Sequence, residues 1–138
     1  LNGFLKAKGL ELFGTYETAR GRSKTEAKER TANQFAIDGV YRFGKDENLF
    51  IGARYNIVNA RLANTSSYVY TGDVKVDRTS FAAGWFITRN VMLKGEYVIQ
   101  NYKNFQNTTK PDGTPYTGID YRSGGKFNGY VIEAAVAF

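Results

Sequence analysis

Hydrophobic residues recur at every second position in six long segments of this chain, and this pattern limits the fold more than any other feature. In a β-strand alternate side chains point to opposite faces, whereas a helix repeats its apolar positions every three to four residues. The pattern therefore predicts an all-β protein with strands longer than the roughly five to six residues usual in globular proteins. The predicted strands are Gly9–Thr18, Gln34–Phe43, Leu49–Ile57, Val74–Ile87, Val91–Asn101 and Tyr130–Phe138.

The connections between these segments alternate between short and long. The short connections are at 44–48 and 88–90, and the long ones are at about 19–33, 58–73 and 102–125. The long connections are rich in Ser, Thr, Asn, Gly and charged residues. The predicted arrangement is an antiparallel meander with the short turns at one end and the long loops at the other. Transmembrane β-barrels show this asymmetry, with short periplasmic turns and longer extracellular loops.

At 138 residues the chain has the size of one small domain, and nothing in it resembles a membrane-spanning helix. Its longest uncharged apolar run, Phe81 to Ile87, is about a third of the roughly 20 residues that such a helix needs. Ten Tyr, ten Phe and fifteen Gly with only two Pro are typical of tilted membrane strands with aromatic girdles. If this chain crosses a bilayer, it is therefore expected to cross with strands.

The chain contains neither cysteine nor histidine. Without cysteine it has no disulfide framework, no thiolate metal site and no thiol nucleophile. Serine and aspartyl hydrolases of the outer membrane resemble one another in using a histidine as base, so this stretch does not form such a site by itself. We therefore expect no catalytic residue, no metal and no cofactor, and we expect that the protein is not an enzyme.

The last nine residues place five apolar side chains on one face of a strand that ends on an aromatic residue. This ending resembles the closing strand of Gram-negative outer-membrane β-barrel proteins. The resemblance implies a multi-pass β-strand protein of the cell outer membrane, whose final strand is recognised by the barrel-assembly machinery. The residues of this implied assembly signal are Tyr130, Ile132, Ala134, Val136 and Phe138.

Further phrases resemble the end of the phosphate-selective porin O and P family. They are GLELFGTY at 9–16, GWF at 84–86, NVMLKGEY at 90–97 and GGKFNG at 124–129. The resemblance covers most of the chain but only its strands and turns, and it implies a large anion-conducting porin that assembles as a homotrimer. Members of the family resemble one another in having a constriction loop earlier in the chain. No such loop is assigned here, so the resemblance carries over no phosphate site.

Six strands are too few to close a membrane barrel, because known single-chain barrels begin at eight. Residues 1–138 are therefore predicted to be a single partial β-barrel domain, made of the carboxy-terminal strands of a larger antiparallel transmembrane β-barrel. The alternative is that several copies of this chain pool their strands into one barrel.

Charged residues in the predicted strands fall mostly on the face opposite the apolar residues. A Lys or Arg at the bilayer midplane costs about 2 to 4 kcal/mol on the lipid face, whereas a water-filled lumen tolerates charge. Four successive strands supply basic residues, and acidic residues oppose them. Two interpretations stay open, an anion path along one wall or interstrand salt bridges in a hydrated barrel. The pore-lining candidates are Arg42, Arg54, Arg78, Lys94, Glu96 and Glu133.

The net charge of +6 lies mainly in the long connections. Basic loops of this kind are expected to pair with phosphates of the surface glycolipid or to draw anionic solutes towards the mouth, although plain solubility also accounts for them. No basic run is interleaved with stacking aromatic residues, so nucleic acid is not expected as a partner. The expected partners are outer-membrane lipid, surface glycolipid and further copies of the same protein.

Three functions compete on this evidence. The preferred hypothesis is an outer-membrane porin, in which small solutes, anions among them, diffuse passively through a water-filled barrel. The second is a non-conducting outer-membrane barrel that serves as a surface-binding or complex-scaffold subunit. The third is a soluble lipocalin-like ligand binder, which would build eight to ten short strands from a similar length of chain.

Overall fold

Long β-strands dominate the computed structural model, which describes residues 1–24 and 26–137. In chain order the strands are β1 (Asn2–Ala7), β2 (Leu10–Gly21), β3 (Arg30–Phe43), β4 (Leu49–Ala60), β5 (Val69–Tyr70), β6 (Val74–Thr88), β7 (Val91–Lys103), β8 (Thr108–Thr109) and β9 (Lys126–Val136). Seven of them form one antiparallel sheet in the order β1-β2-β3-β4-β6-β7-β9, and β5 pairs with β8 in a separate two-stranded sheet. The predicted all-β antiparallel meander is confirmed, and within the described residues the large sheet is open.

The large sheet has one strand more than the six that the sequence predicts. Period-two counting does not detect β1, because Phe4 and Leu5 are adjacent apolar residues in a short segment. A two-residue turn at Lys8 and Gly9 joins β1 to β2, and both residues have positive φ, 46° and 80°. This is the usual geometry of a tight β-hairpin. A Cβ at Gly9 would lie 2.6 Å from the backbone oxygen of Arg42, so glycine is required there.

The register of the sheet places the predicted apolar residues in common rows on one face. Tyr41 lies opposite Ile51, and Ile51 lies opposite Ala83. The same row continues to Gly95 and Ile132 on the last two strands. We call this side of the sheet the apolar face. The alternate positions of the same strands form the opposite side, which we call the charged face.

The two faces differ in how deeply their side chains are buried. On the apolar face Phe81 and Tyr130 keep exposed fractions of 55% and 83%. Four residues of the central strands are at most 4% exposed, and all lie on the charged face: Ala36, Val74, Ser80 and Val98. Among the described residues of the apolar face, the polar Asp77 alone is buried, at 8%. Side chains therefore pack more closely over the charged face, whereas the large apolar side chains of the apolar face stay exposed among the described residues.

The apolar band runs obliquely across the sheet. Towards the long connections its last apolar residue on β2 is Tyr16, and on β9 it is Tyr130. The row that starts at Tyr16 reaches β9 at Lys126, four residues from Tyr130. With about 3.3 Å per residue and about 4.8 Å between strands, this drift over five strand pairs corresponds to a tilt of about 30°. Strands of closed barrels tilt by roughly 35 to 45° from the barrel axis.

Short and long connections lie at opposite ends of the large sheet, as the sequence predicts. The short connections are residues 8–9, 44–48 and 89–90. The long connections are residues 22–29, 61–73 and 104–125. All three begin later than predicted, and the first also ends earlier, because the strands continue beyond the apolar band. β2, for example, extends to Gly21, three residues past the predicted strand end.

The connections 61–73 and 104–125 fold together, whereas the sequence predicts only that they are long and polar. β5 in the first pairs with β8 in the second. Val76 and Tyr102 pack against the buried centre from the charged face. We call this assembly the loop cluster, and its core residues, each 4% exposed, are Tyr70, Val74 and Phe105. Period-two counting misses it, because its aromatic residues are scattered among polar ones.

Candidate functional site

All six predicted pore-lining residues lie on the charged face, distributed over five strands. Each of the four basic residues has a carboxylate oxygen within 3.5 Å. The structure therefore brings the predicted residues together as ion pairs rather than as an uncompensated basic strip. This arrangement favours the salt-bridge interpretation of the charged face.

The central ion pair joins Arg54 and Asp38, which lie directly opposite each other on β4 and β3. Arg54 Nε lies 2.8 Å from Asp38 Oδ1, and Arg54 Nη2 donates to Asp38 Oδ2 at 3.2 Å. These two contacts form the bidentate fork of arginine and carboxylate. The Arg54 side chain is 55% exposed, so water screens the pair and its stabilisation is about 0 to 1 kcal/mol.

Four of the candidates form a network of alternating charge over β6, β7 and β9. Glu96 lies 3.5 Å from Arg78 Nη2 and 3.2 Å from Lys94 Nζ. Lys94 Nζ also donates to Glu133 Oε2 at 3.2 Å across the register of β7 and β9. The carboxylate of Glu96 is thus shared between two cations, and it is the most shielded group of the network, with a side chain 15% exposed.

Arg42 occupies the end of the charged face near the short connections. Its Nε lies 3.2 Å from Glu11 Oε1, and Lys6 Nζ lies 2.9 Å from the same oxygen. The Arg42 guanidinium also lies 5.9 and 5.4 Å from the ring centroids of Phe50 and Phe86, a cation–π geometry. The sequence misses the contribution of Lys6, because the strand that carries it is not detected by alternation.

Gly84 makes room for the aromatic platform under Arg42. It lies opposite Phe50 in the register, and a Cβ at Gly84 would lie 2.2 Å from the Phe50 ring. Gly95 lies on the neighbouring strand and on the apolar face, and a Cβ added there would have no atom within 4 Å. The close approach on the charged face therefore requires glycine at Gly84.

A cavity of about 840 Å³ lies between the first and second long connections. Two arginines line it, and each is already paired with a carboxylate. Arg30 Nε lies 2.8 Å from Glu26 Oε1, and Arg61 Nε lies 2.7 Å from Asp73 Oδ1. The two arginines of this cavity are therefore compensated in the same way as the basic candidates on the charged face.

Arg122 connects the parts of the loop cluster. Its Nη2 lies 2.8 Å from Asp120 Oδ2 and donates to the Tyr70 hydroxyl at 3.2 Å. Its guanidinium lies 4.6 Å from the ring centroid of Phe105. The hydrogen bond from Arg122 lowers the pKa of Asp120, and burial raises the pKa of Tyr70. From the sequence Arg122 is only one of several basic loop residues, because its partners come from distant segments.

The predicted assembly signal lies on β9, which is an edge strand of the described sheet. Tyr130 and Ile132 are 83% and 81% exposed, and the Tyr130 ring packs at 4.8 Å from that of Tyr97. Phe138, the last residue of the signal, lies outside the described residues. The four described members all lie on the apolar face, and they are Tyr130, Ile132, Ala134 and Val136.

No helix in the described part of the chain is long and apolar enough to cross a membrane. Residues 1–24 and 26–137 also contain no group of three or more acidic side chains placed to hold a metal ion. The resemblance to the phosphate-selective porins stays a prediction that rests on the quoted phrases. Comparison with protein-family models, with curated proteins and with solved structures finds no match to this chain.

Proposed function

We propose that this chain forms part of the wall of an outer-membrane porin, through which small solutes, anions among them, diffuse passively. The observation that carries the proposal is the division of one continuous sheet into an uncovered apolar face and a charged face. A porin wall has this organisation, because one side meets lipid and the other lines a channel filled with water.

A soluble protein would have to bury the apolar face under a second layer of structure. Exposed apolar patches larger than a few hundred Å² are rare on soluble monomers. Here exposed aromatic and aliphatic side chains continue from β2 to β9, including Tyr41, Ile51, Phe81, Leu93 and Ile132. Hydrocarbon covers such a face without requiring a second sheet or a helix layer.

The oblique apolar band also supports a membrane barrel. If the strands tilt by about 30°, the band becomes level and parallel to a membrane plane. The separation of short and long connections at opposite ends then gives each end its own side of the membrane. In the proposed orientation, the connections 22–29, 61–73 and 104–125 face the outside of the cell.

The open edges of the sheet require further strands. Unpaired backbone groups in hydrocarbon cost several kcal/mol each, so β1 and β9 must both be paired in a membrane. We propose that the strands that pair with β1 and β9 come from the rest of a larger barrel-forming chain. The alternative is that several copies of this chain pool their strands into one barrel. The family resemblance adds assembly into a homotrimer, insertion by the barrel-assembly machinery, and surroundings of outer-membrane lipid and surface glycolipid.

Ion conductance through planar bilayers tests the proposal on the full-length protein that contains this segment. We expect steady water-filled channels whose reversal potential favours anions. Replacing Arg42, Arg54, Arg78 and Lys94 together by Gln should move that potential towards cations, because Glu96 and Glu133 then remain unbalanced. The matched control replaces Lys24, Lys28, Lys45 and Lys110 by Gln, which removes the same charge outside the charged face and should have a smaller effect.

A non-conducting barrel is the second candidate, and two observations favour it. The basic residues of the charged face are ion-paired, and the loop cluster packs against that face near the long connections. A correctly inserted protein that shows heat-modifiable migration but carries no current would support this function over the porin. Stable solubility without detergent would contradict both membrane functions and support the lipocalin-like ligand binder.

A further inference from the structure

Three lysines lie close together on the apolar face, just beyond the apolar band towards the long connections. Lys75 on β6 lies directly opposite Lys103 on β7. Lys126 on β9 lies opposite Asn101, two residues from Lys103. Directly opposed and diagonal neighbours across strands are within reach of long side chains. We call Lys75, Lys103 and Lys126 the lysine group.

The lysine group carries more positive charge than the nearby carboxylates balance. Lys103 Nζ lies 2.8 Å from Asp77 Oδ1, and Asn101 Nδ2 donates to Asp77 Oδ2 at 2.8 Å. Within the described residues, Lys75 and Lys126 form no ion pair of their own. Like charges directly opposite each other destabilise a sheet, so an anion beside Lys75 and Lys103 would relieve a repulsion. This excess contrasts with the charged face, where every basic candidate has a carboxylate partner.

The position of the lysine group is that of a lipid headgroup contact. Towards the membrane on the same face the next residues are the polar Asn101 on β7 and Asn128 on β9. Apolar residues follow directly after them, Ile99 on β7 and Tyr130 on β9. The loop cluster packs on the charged face, so it leaves this side of the strands open. The Lys103 side chain is 52% exposed and Lys126 is also exposed.

We propose that the lysine group binds the phosphate groups of a phosphorylated glycolipid in the outer leaflet, an inference that rests on the proposed porin function. A lysine ammonium binds phosphate as a point charge. Each basic residue near an anionic membrane surface contributes about 1 kcal/mol, or about a fivefold gain in affinity. Three lysines and one aspartate leave an excess of two positive charges, which matches a headgroup with two phosphates better than a phospholipid with one.

Lipid binding to the full-length protein in detergent micelles tests the inference, with a purified bisphosphorylated glycolipid as the probe and native mass spectrometry as the readout. We expect the triple variant K75Q/K103Q/K126Q to bind the glycolipid at least about tenfold more weakly than the unsubstituted protein. The control variant K24Q/K28Q/K110Q removes the same charge from the long connections and should stay within about twofold.

Unchanged glycolipid binding by the triple variant would overturn the inference. Equal affinity of the unsubstituted protein for phosphatidylglycerol would also overturn it, because the lysine group would then attract any anionic lipid. If the triple variant does not insert, K75Q/K126Q keeps the contact between Lys103 and Asp77 and should still bind at least about fivefold more weakly. Conductance of the same proteins separates the porin function from glycolipid binding by the lysine group. A variant that conducts ions and still binds the glycolipid normally would contradict only the proposed role of the lysine group.

Discussion

The apolar face and the charged face come from the same strands, yet they differ in what stabilises their side chains. On the charged face each basic candidate is matched by a carboxylate, and small residues such as Ala36 and Ser80 are buried under longer neighbours. On the apolar face the large apolar side chains remain exposed, among them Phe81, Tyr130 and Ile132. The side chains of the charged face therefore find their partners within the sheet. The apolar side chains of the other face are buried only if something outside the described residues covers them.

This difference shows where the fold depends on its surroundings. Ion pairs and close packing on the charged face come from contacts between neighbouring strands. This face can therefore be exposed to water without a further layer of structure. The apolar face gains most of its hydrophobic stabilisation from whatever removes it from water. Substitutions on the two faces should therefore have unequal effects, and matched pairs of variants measure that inequality.

The largest effect is expected for a new charge in the middle of the apolar face. Ala53→Arg should lower the free energy of unfolding by about 2 to 4 kcal/mol in lipid vesicles, because the guanidinium would lie in hydrocarbon. Urea titration of the vesicle-inserted full-length protein measures the loss. The control is Ala82→Arg on the charged face, which should cost much less. Equal losses for the two variants would show that the apolar face does not contact lipid.

The next effect concerns the two glycines on adjacent strands that lie on opposite faces. Gly84→Ala should destabilise the protein by about 1 to 3 kcal/mol, because its Cβ would overlap the Phe50 ring at 2.2 Å. Gly95→Ala has open space and should be neutral or stabilising by up to about 1 kcal/mol. The same urea titration measures both. A neutral Gly84→Ala would mean that Phe50 moves aside without loss of packing.

A smaller effect is expected from the shared carboxylate of the charged face. Glu96→Gln leaves Arg78 and Lys94 with weaker partners and should cost about 1 kcal/mol, because the network is partly screened by water. In a conducting barrel it should also increase anion preference, which reversal potentials measure. Glu17→Gln, on the same face but without an ion pair in the described residues, is the control for stability and should leave the free energy of unfolding nearly unchanged.

The smallest effect lies in the loop cluster and depends on pH. The pKa of Asp120 is lowered in the folded state by Arg122, so its stabilisation is present above the unfolded pKa and is lost as pH falls through the folded pKa. Proteolysis of the 104–125 connection should therefore accelerate severalfold in acid, below about pH 4. Asp120→Asn should be cleaved faster at neutral pH and should show a weaker acid response. A cleavage rate with the same pH profile in both proteins would contradict this role.

Strand alternation was enough to predict most of the large sheet. It located β3, β4, β6 and β7 closely and placed residues such as Arg54 and Ile51 on the correct faces, because a period of two links sequence parity directly to side-chain direction. β1 escaped because it is short and contains adjacent apolar residues. The turn at Lys8 and Gly9 was visible only once the pairing of β1 with β2 was known.

The sequence by itself determined the all-β class, the two faces and the separation of short from long connections, because these follow from the order of residues along each strand. Only the tertiary structure decided which charges meet, such as Arg54 with Asp38, and that distant connections fold into the loop cluster around Tyr70 and Phe105. It also decided the position of the lysine group. These features depend on the register between strands, which brings together residues that local periodicity cannot relate.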